Sequence, residues 1–219
     1  MTEQDLREVL LRATARLFER RGYAAVTLRM IAAEAGVTTG SLYYYFKDKE
    51  EVVRVILETG HRRVYEEVLR AITDLGESAT WAEKVRAGVH AHVATLFERG
   101  SFSAANIRIY SHVPEHLREE AKPARRAYER FWIDLLASGD SPLDVPARHM
   151  AMFLFGAANW TFEWHREGRE TLDEIASDLA RLFIGPEPQN TKAFEATSPT
   201  RTKITARPQN QPSQRLRLR

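Results

Sequence analysis

Residues 27–46 constrain the fold of this chain more than any other stretch, because they predict two short helices joined by a glycine turn. Thr27 can cap the first helix, whose apolar residues recur at helical spacing. Gly36 can supply the positive φ of a sharp turn, and Thr38 or Thr39 can cap the second helix. This arrangement is typical of a helix-turn-helix, whose second helix fits the DNA major groove.

The second helix, residues 38–45, has the composition of a DNA-contacting surface. Leu42 and Phe46 lie four residues apart and can face the core. The other positions are glycine or carry hydroxyl groups that can reach phosphates and base edges: Thr38, Thr39, Gly40, Ser41, Tyr43 and Tyr44. An aromatic cluster packed between helices is the alternative explanation of the adjacent tyrosines.

The run AAEAGVTTGSLYYYFKDKEEV closely resembles the recognition segment of TetR-family transcriptional regulators, as does the preceding ATARLFERRGYAAVTLRMIA. The shared order is an aromatic after a glycine (Gly22 and Tyr23), a threonine that opens the second helix (Thr27), a G-V-S/T turn and an L-Y-Y/W-H/Y-F-x-x-K ending at Lys49. Tyr45 stands where histidine is frequent in the family. The resemblance covers about the first 55 residues.

This resemblance implies a DNA-binding head with two kinds of contact. We expect phosphate contacts from Thr27, Tyr43, Tyr44 and Lys49, and positions near the bases for Arg29, Thr38, Thr39, Gly40 and Ser41. A homodimer would place its two recognition helices in major grooves about 34–36 Å apart on a double-stranded, palindromic operator.

Composition excludes several classes of protein. The chain has 219 residues, of which 43% are hydrophobic and 28% charged, as in a soluble globular protein. It has no cysteine and therefore no disulfide, thiol nucleophile or zinc finger. No apolar run approaches the ~20 residues of a membrane span, and the acidic N-terminus is unlike a signal peptide. We therefore expect a cytoplasmic protein without a membrane partner.

The net charge of +2 does not by itself support DNA binding. Residues 186–219 contain seven Lys or Arg against two Glu, together with five of the nine prolines. We expect this segment to be a disordered basic tail, which is either inert or a second, non-specific contact to DNA. The prediction of DNA binding therefore rests on the motif.

Helical periodicity predicts an all-α protein of about nine helices, without a strand pattern of useful length. The predicted segments outside the helix-turn-helix are 4–21, 48–73, 81–99, 103–112, 115–137, 144–168 and 171–184. The expected division is a DNA-binding domain at 1–50, a ligand-binding and dimerisation domain at 51–185, and the tail.

Aromatic residues at helical spacing fill the second domain, and they could either form a solid core or line a cavity. Periodicity does not separate the two. The candidate ligand-binding residues are Phe97, Tyr110, Tyr128, Trp132, Phe153, Asn159 and Trp160. Asn159 lies in an otherwise apolar helix, and its amide needs a partner, which could be a ligand oxygen, a backbone carbonyl or a second subunit.

The last two helices are apolar on more than one face, which is typical of a helix that is buried or paired with another chain. The TetR resemblance implies that they form a four-helix bundle between two subunits. The candidate interface residues are Met152, Phe155, Phe162, Leu179, Leu182 and Phe183.

The pattern G-A-x-N-W-T-x-x-W-x-R-x-G, followed by a T/S-L-D-E-I-A helix, is similar to TetR-like regulators of fatty-acid and steroid breakdown that respond to acyl-CoA thioesters. It implies a long apolar pocket with a cation near its mouth; the available arginines are Arg108, Arg125, Arg126 and Arg166. The expected function is a ligand-responsive transcriptional repressor released by a small apolar or acyl-CoA-type effector. The alternative is a DNA-bound architectural or interaction protein without an effector.

Catalytic chemistry has little support in the sequence. His90 and His92 would diverge by about 200° on a helix and could not share a metal ion, and His112 and His116 have no evident third ligand. No nucleophile elbow, phosphate loop or zinc-protease motif is present. We expect no enzymatic activity, catalytic residue, cofactor or metal.

Overall fold

The computed structural model describes residues 3–98 and 101–186, and every regular element in these ranges is an α-helix. The nine helices are α1 Glu3–Ala25, α2 Leu28–Glu34, α3 Thr39–Tyr45, α4 Lys49–Thr73, α5 Trp81–Phe97, α6 Phe102–Ile109, α7 Glu115–Ala137, α8 Ala147–Trp164 and α9 Leu172–Ile184. The predicted all-α class is confirmed. The tail prediction concerns residues that lie almost wholly outside the described ranges.

Helix starts follow from local hydrogen bonds that the sequence encodes. Thr27 and Thr38 accept backbone N–H bonds at the starts of α2 and α3, and Asp48 does the same for α4. Thr80 and Thr171 each form a complete capping box with the glutamate three residues later. These caps satisfy N–H groups that have no partner within a helix.

Helix α8 is shorter than the predicted segment 144–168 at both ends. Pro146 occupies the N-cap, and because proline disfavours helical backbone in the residue before it, the helix begins only at Ala147. At the other end His165 has extended backbone angles, which stop the helix at Trp164. Helix α7, by contrast, spans the predicted residues 115–137.

Two apolar clusters organise the described residues. The first joins α1–α3 to α4, α6 and the start of α7, and includes Phe18, Leu42 and Phe46 with Phe102 and Ile109. The second lies between α4, α5, α7, α8 and α9, around the fully buried Trp132. Helix α4 contributes to both clusters, and α6 packs directly on α1. The helix-turn-helix therefore shares one apolar cluster with α4 and α6.

No helix in the described part of the chain is long and apolar enough to cross a membrane.

We expect Gly60→Ala to destabilise the protein by about 1–3 kcal/mol. A Cβ atom at Gly60 would lie 2.7 Å from the carbonyl oxygen of Phe102, so α4 and α6 would have to separate. Gly40→Ala is the matched control, because its Cβ would meet only Thr38 Oγ1, at 3.8 Å, and alanine favours a helix. Urea unfolding at fixed protein concentration measures both; equal stability of the two variants would contradict the packing described here.

Candidate functional site

The helix-turn-helix presents one face of α3 to solvent. Gly36 has a φ of 70°, which turns the chain sharply between α2 and α3. Leu42 and Phe46 are buried under the turn, whereas Tyr43 and Tyr44 are 55% and 74% exposed. The buried pair fixes the orientation of α3 on the core. The tyrosine hydroxyls therefore project away from the protein.

Hydroxyl groups at the start of α3 are held in place by one another. Thr38 Oγ1 accepts a hydrogen bond from the Ser41 backbone N–H at 3.1 Å and lies 2.9 Å from Ser41 Oγ. Thr27, Arg29 and Gly40 are exposed on the same head. The start of α3 therefore offers donors and acceptors to a partner, as a polar helix in a DNA groove requires.

The side chain of Lys49 is engaged within the protein. Its ammonium group donates a hydrogen bond to the Tyr23 carbonyl at 2.5 Å and lies 4.0 Å from the centroid of the Tyr23 ring. Burial lowers the pKa of Lys49. In this conformation Lys49 joins the start of α4 to the end of α1.

Residues of helices α4 to α8 line a partly open cavity of about 320 Å³. Its apolar wall includes Val64, Leu96, Ile107, Met152 and Phe155. Its polar lining comes from His61, His92, Ser103, Asn106, Tyr110, Arg125, Tyr128, Glu129 and Asn159. An apolar cavity with a few converging polar groups is the usual form of a small-molecule site.

A buried histidine lies in the wall of this cavity and joins three helices. His92 on α5 is 3% exposed; its Nδ1 lies 2.6 Å from the Tyr128 hydroxyl on α7, and its Nε2 lies 3.0 Å from Asn159 Oδ1 on α8. Burial lowers the pKa of His92 to about 4, despite the hydrogen bond to Asn159, so the ring is neutral near pH 7.

This network determines which atoms carry hydrogen. Asn159 Oδ1 can only accept, so the single N–H of neutral His92 must be on Nε2. His92 Nδ1 then accepts from Tyr128, whose own pKa is raised by burial. The amide Nδ2 of Asn159 keeps both hydrogens, and it forms no hydrogen bond to another of the described residues.

A second polar cluster lies across the cavity, on α4 and α6. Asn106 Nδ2 is 3.0 Å from the Leu57 carbonyl and 2.6 Å from His61 Nδ1, and His61 Nδ1 lies 2.9 Å from the same carbonyl. Burial lowers the pKa of His61. These contacts join α6 to α4 at the wall of the cavity.

One cation lies at the edge of the cavity. Arg125 donates hydrogen bonds to Glu129 at 2.7 Å and to the Tyr110 hydroxyl at 3.2 Å, and its guanidinium lies over the Tyr110 ring. Its side chain is 44% exposed, so it can reach both the lining and the solvent.

The opposite face of α8 is apolar and exposed. Met152, Phe153, Trp160 and Trp164 follow helical spacing along it and are 36–65% exposed. Gly156 and Ala157, in the middle of this stripe, are also exposed. Leu182 of α9 is 62% exposed. A stripe of large aromatics around small residues fits a helix that receives a second helix.

Comparison with known proteins gives a consistent result. Residues 10–56 match the family model described as bacterial regulatory proteins, tetR family, and residues 78–185 match the tetracyclin repressor-like C-terminal domain. The chain belongs to the TetR family. It is a transcriptional regulator by membership of that family.

The HTH-type transcriptional repressor KstR2 of Rhodococcus jostii (strain RHA1) is 29% identical over 188 residues, which are 81% of this chain and 89% of that protein. AibR, solved in complex with isovaleryl coenzyme A and operator DNA, has a TM-score of 0.72 at 22% identity and covers 83% of this chain and 98% of its own. The ketosteroid transcriptional regulator KstR2 of Mycobacterium tuberculosis has a TM-score of 0.66 at 22% identity, covering 85% and 98%. At these identities the two structures establish the fold.

The cavity of this TetR-family chain includes only part of the predicted ligand-binding set. Tyr110, Tyr128 and Asn159 line it. Phe97 lies outside the lining, with its ring centroid 5.8 Å from that of Phe162 and 5.1 Å from that of His165.

The other three predicted ligand residues also lie elsewhere. Trp132 is buried in the core, where its ring comes so close to Gly88 that a Cβ on that glycine would lie 2.9 Å away. Phe153 and Trp160 are 58% and 65% exposed on the outer stripe of α8. Sequence periodicity did not show which side of α8 faced inward.

The predicted interface residues lie partly in the cavity wall, partly in the core and partly at the surface. Met152 and Phe155 line the cavity, although Met152 is also at the edge of the exposed stripe. Leu179 and Phe183 are buried within the subunit, while Leu182 is exposed. His61, His92 and Asn106 were not among the predicted site residues. The available signal was that His92 shares an apolar helical face with Val85, Val89 and Leu96 of α5, all of them buried.

The remaining histidines show no evident catalytic arrangement. His90 Nδ1 lies 2.9 Å from Asp173 and its Nε2 lies 3.1 Å from Ser177 Oγ, in the order of a serine-hydrolase triad. However, Ser177 lies inside α9, where backbone N–H groups are used by the helix and cannot form an oxyanion hole. The three residues therefore link α5 to α9. The relatives named above are regulators rather than enzymes.

We expect the free energy of unfolding to fall between about pH 6.5 and pH 4, by on the order of 3 kcal/mol from His92 alone. The pKa of His92 is lower in the folded protein than in the unfolded chain. Its contribution to the free energy of unfolding is therefore complete above the pKa of the unfolded chain and is lost as the pH falls toward the pKa of the folded protein. His92→Gln, which can keep both hydrogen bonds, should flatten this dependence in urea titrations. His149→Gln changes an exposed histidine and should leave it unaltered. Equal pH dependence in the wild type and His92→Gln would contradict the buried neutral state.

Proposed function

We propose that this protein is a homodimeric transcriptional repressor that leaves its operator when a small apolar or acyl-CoA-type effector enters the α4–α8 cavity. The observation that carries the proposal is the sharing of helices between cavity and head. Gly60 and His61 of α4 and Asn106 of α6 line the cavity, and the same two helices pack against α1–α3. A ligand that requires a different separation of α4 and α6 would therefore change the position of the head.

Thermodynamic linkage is sufficient for such regulation. A ligand shifts the protein only by its difference in affinity between two conformations, and the coupling to DNA is reciprocal. The name of the curated relative KstR2, a transcriptional repressor, supports repression. The description of AibR, which names isovaleryl coenzyme A and operator DNA together, supports an acyl-CoA type of effector.

In the proposed complex each α3 lies in a major groove. Thr38, Thr39, Gly40 and Ser41 lie near bases, with Arg29 beside them, while Thr27, Tyr43 and Tyr44 contact phosphates. Lys49 would also contact a phosphate, which requires its bond to the Tyr23 carbonyl to open. The head comprises residues 1–50, residues 51–185 form the effector and dimerisation domain, and the protein acts in the cytoplasm.

The proposed dimer interface is the exposed stripe of α8 together with Leu182 of α9. Its aromatic residues are of the type that dominates interface energies. An architectural protein without an effector remains the second candidate function, because a helix-turn-helix alone would serve it. The cavity of about 320 Å³ favours the first.

We expect Thr39→Ala to change operator preference and Tyr43→Ala to weaken binding to all sequences alike. Loss of a base contact costs about 1–3 kcal/mol on the matching sequence only, whereas a phosphate contact carries no sequence information. The operator is first selected from a random duplex pool, and fluorescence anisotropy then measures the dissociation constants on operator and random DNA at fixed salt.

The matched control for both variants is Val145→Ala, which removes an exposed apolar side chain outside the head. It should bind both duplexes like the wild type. If Thr39→Ala loses equal affinity for operator and random DNA, Thr39 does not read bases.

We expect Trp160→Ala to weaken the dimer by about 2 kcal/mol or more, since an exposed tryptophan at the centre of an apolar stripe is a typical hot spot. Leu69→Ala is the control, because Leu69 is 44% exposed on α4, away from that stripe. Sedimentation over a concentration series measures both dissociation constants. If Trp160→Ala has the same dimer dissociation constant as the wild type, Trp160 and its stripe on α8 do not form the interface.

Native mass spectrometry of the purified protein tests the effector itself. A small molecule released on denaturation should, when added back, dissociate the operator complex. Full operator affinity in the presence of that molecule would support the architectural alternative.

A further inference from the structure

From the contacts between α1, α4 and α6 we infer that Glu8 and Arg63 are positioning residues for operator binding. Together with the ring of Phe102 they form a clamp, one residue on each helix, that fixes the head relative to the helices of the cavity. The clamp acts within the proposed function, and its role in operator binding rests on two heads binding one operator.

One carboxylate joins the first helix of the head to α4. Arg63 Nη2 donates hydrogen bonds to both oxygens of Glu8, at 2.8 and 3.0 Å, although the two residues are 55 positions apart in the chain. Arg12 Nε, one turn further along α1, donates to the same carboxylate at 2.9 Å. These three side chains are 33–40% exposed, so solvent screens their charges in part. The contact is therefore modest in energy, and what it contributes is a defined direction.

The buried ring of Phe102, the first residue of α6, lies beneath both arginines. The guanidinium carbon of Arg63 is 4.3 Å from the ring centroid, and that of Arg12 is 5.8 Å from it. Both distances are within the range of cation–π attraction. A planar guanidinium that stacks on a ring and also bonds a carboxylate has few orientations open to it. Arg63 of α4 is therefore held by α1 and α6 at once.

Apolar packing alone would leave the register of these helices less well defined. Leu11 and Phe18 of α1 share an apolar cluster with Ile109 of α6. Hydrophobic attraction between such residues has no preferred direction. A directional ion pair between the same helices selects one register. We therefore assign the position of the head to the clamp and most of its attachment to the apolar cluster.

Further ion pairs carry the position of α1 on to the recognition helix. Arg16 and Arg20 bond the two carboxylate oxygens of Glu34 on α2, at 3.1 and 2.9 Å. Helix α2 continues through the Gly36 turn into α3. About 18 Å of helix separates Glu8 from Arg20 at 1.5 Å per residue. A small rotation of α1 about the clamp is therefore enlarged at α2 and α3.

The clamp also lies next to the cavity. Arg63 follows the cavity-lining residues Gly60 and His61 on α4, and Phe102 directly precedes the cavity-lining Ser103 on α6. An effector that separates α4 from α6 would draw Arg63 away from the Phe102 ring. The clamp is thus placed where a change at the cavity reaches α1.

Operators with altered spacing test the positioning role. One added base pair between the half-sites moves one of them by about 3.4 Å and rotates it by about 35°, so the wild type should bind this duplex more weakly than the selected operator. Arg63→Met removes the donors, keeps an apolar stem and leaves Glu8 paired with Arg12. It should bind a single half-site like the wild type, but its preference for the selected spacing should fall at least threefold.

Arg62→Met is the matched control, because Arg62 is the neighbouring residue on α4 and its ion pair, at 3.2 Å, is with Glu66 of the same helix. It should keep the spacing preference of the wild type. Glu8→Gln should reduce the preference, and combining it with Arg63→Met should add nothing, since the two residues act as one unit. An unchanged preference in Arg63→Met, or additive effects of the two substitutions, would overturn the inference.

A distance measured within one subunit tests the clamp without DNA. The chain has no cysteine, so Arg21→Cys in α1 and Asp134→Cys in α7, both at exposed positions, can carry two spin labels. Pulsed EPR on doubly labelled chains diluted into unlabelled protein then reports the distance between head and body. Arg63→Met should broaden or shift the distance distribution, whereas Arg62→Met should not. The same distribution in Arg63→Met and the wild type would contradict the clamp.

The two experiments distinguish failure of the clamp from failure of the proposed function. A wild type that binds a half-site as tightly as the full operator would contradict two-headed binding, while a changed distance distribution in Arg63→Met would still support the clamp. A wild type that requires the selected spacing, with Arg63→Met unchanged in both experiments, would contradict the clamp and leave the proposed function intact.

Discussion

The hydrogen bonds of His92 are the interaction on which the mutual arrangement of α5, α7 and α8 depends. A neutral imidazole has one donor and one acceptor, and here each is used by a different helix, Tyr128 of α7 and Asn159 of α8. Burial keeps the ring neutral, because a charged imidazolium in this place would be poorly solvated. One protonation state of one side chain therefore fixes the relative positions of three helices and the polarity of the cavity between them.

Helix α8 serves two surfaces because its residues alternate between them at helical spacing. Phe155 and Asn159 face the cavity, while Phe153 and Trp160 face solvent on the stripe that we assign to the dimer. Effector and partner subunit would thus contact the same rigid element from opposite sides. Because α4 and α6 connect the cavity to the head, the proposed coupling of an effector to DNA would need no long-range path: two alternative separations of these packed helices would be sufficient.

Much of the fold could be predicted from the sequence, because caps, glycine turns and apolar periodicity are local signals. Thr27, Gly36 and Thr38 defined the helix-turn-helix by themselves. The cavity could not be predicted, since it depends on which side of α8 faces inward. For this reason Phe153 was predicted to bind the ligand and Phe155 to lie in the dimer interface, whereas Phe155 lines the cavity and Phe153 is exposed. His92 was missed because its two partners are 36 and 67 residues away in the chain.

The most direct test of this account is the ¹⁵N chemical shifts of the histidine rings, with His92 assigned by the resonances absent from His92→Gln. The account predicts a neutral ring with hydrogen on Nε2 and none on Nδ1, unchanged from pH 8 to pH 5.5. A ring protonated on Nδ1, or one that becomes charged in this range, would contradict it. Asn159 would then no longer be fixed as a donor to the cavity.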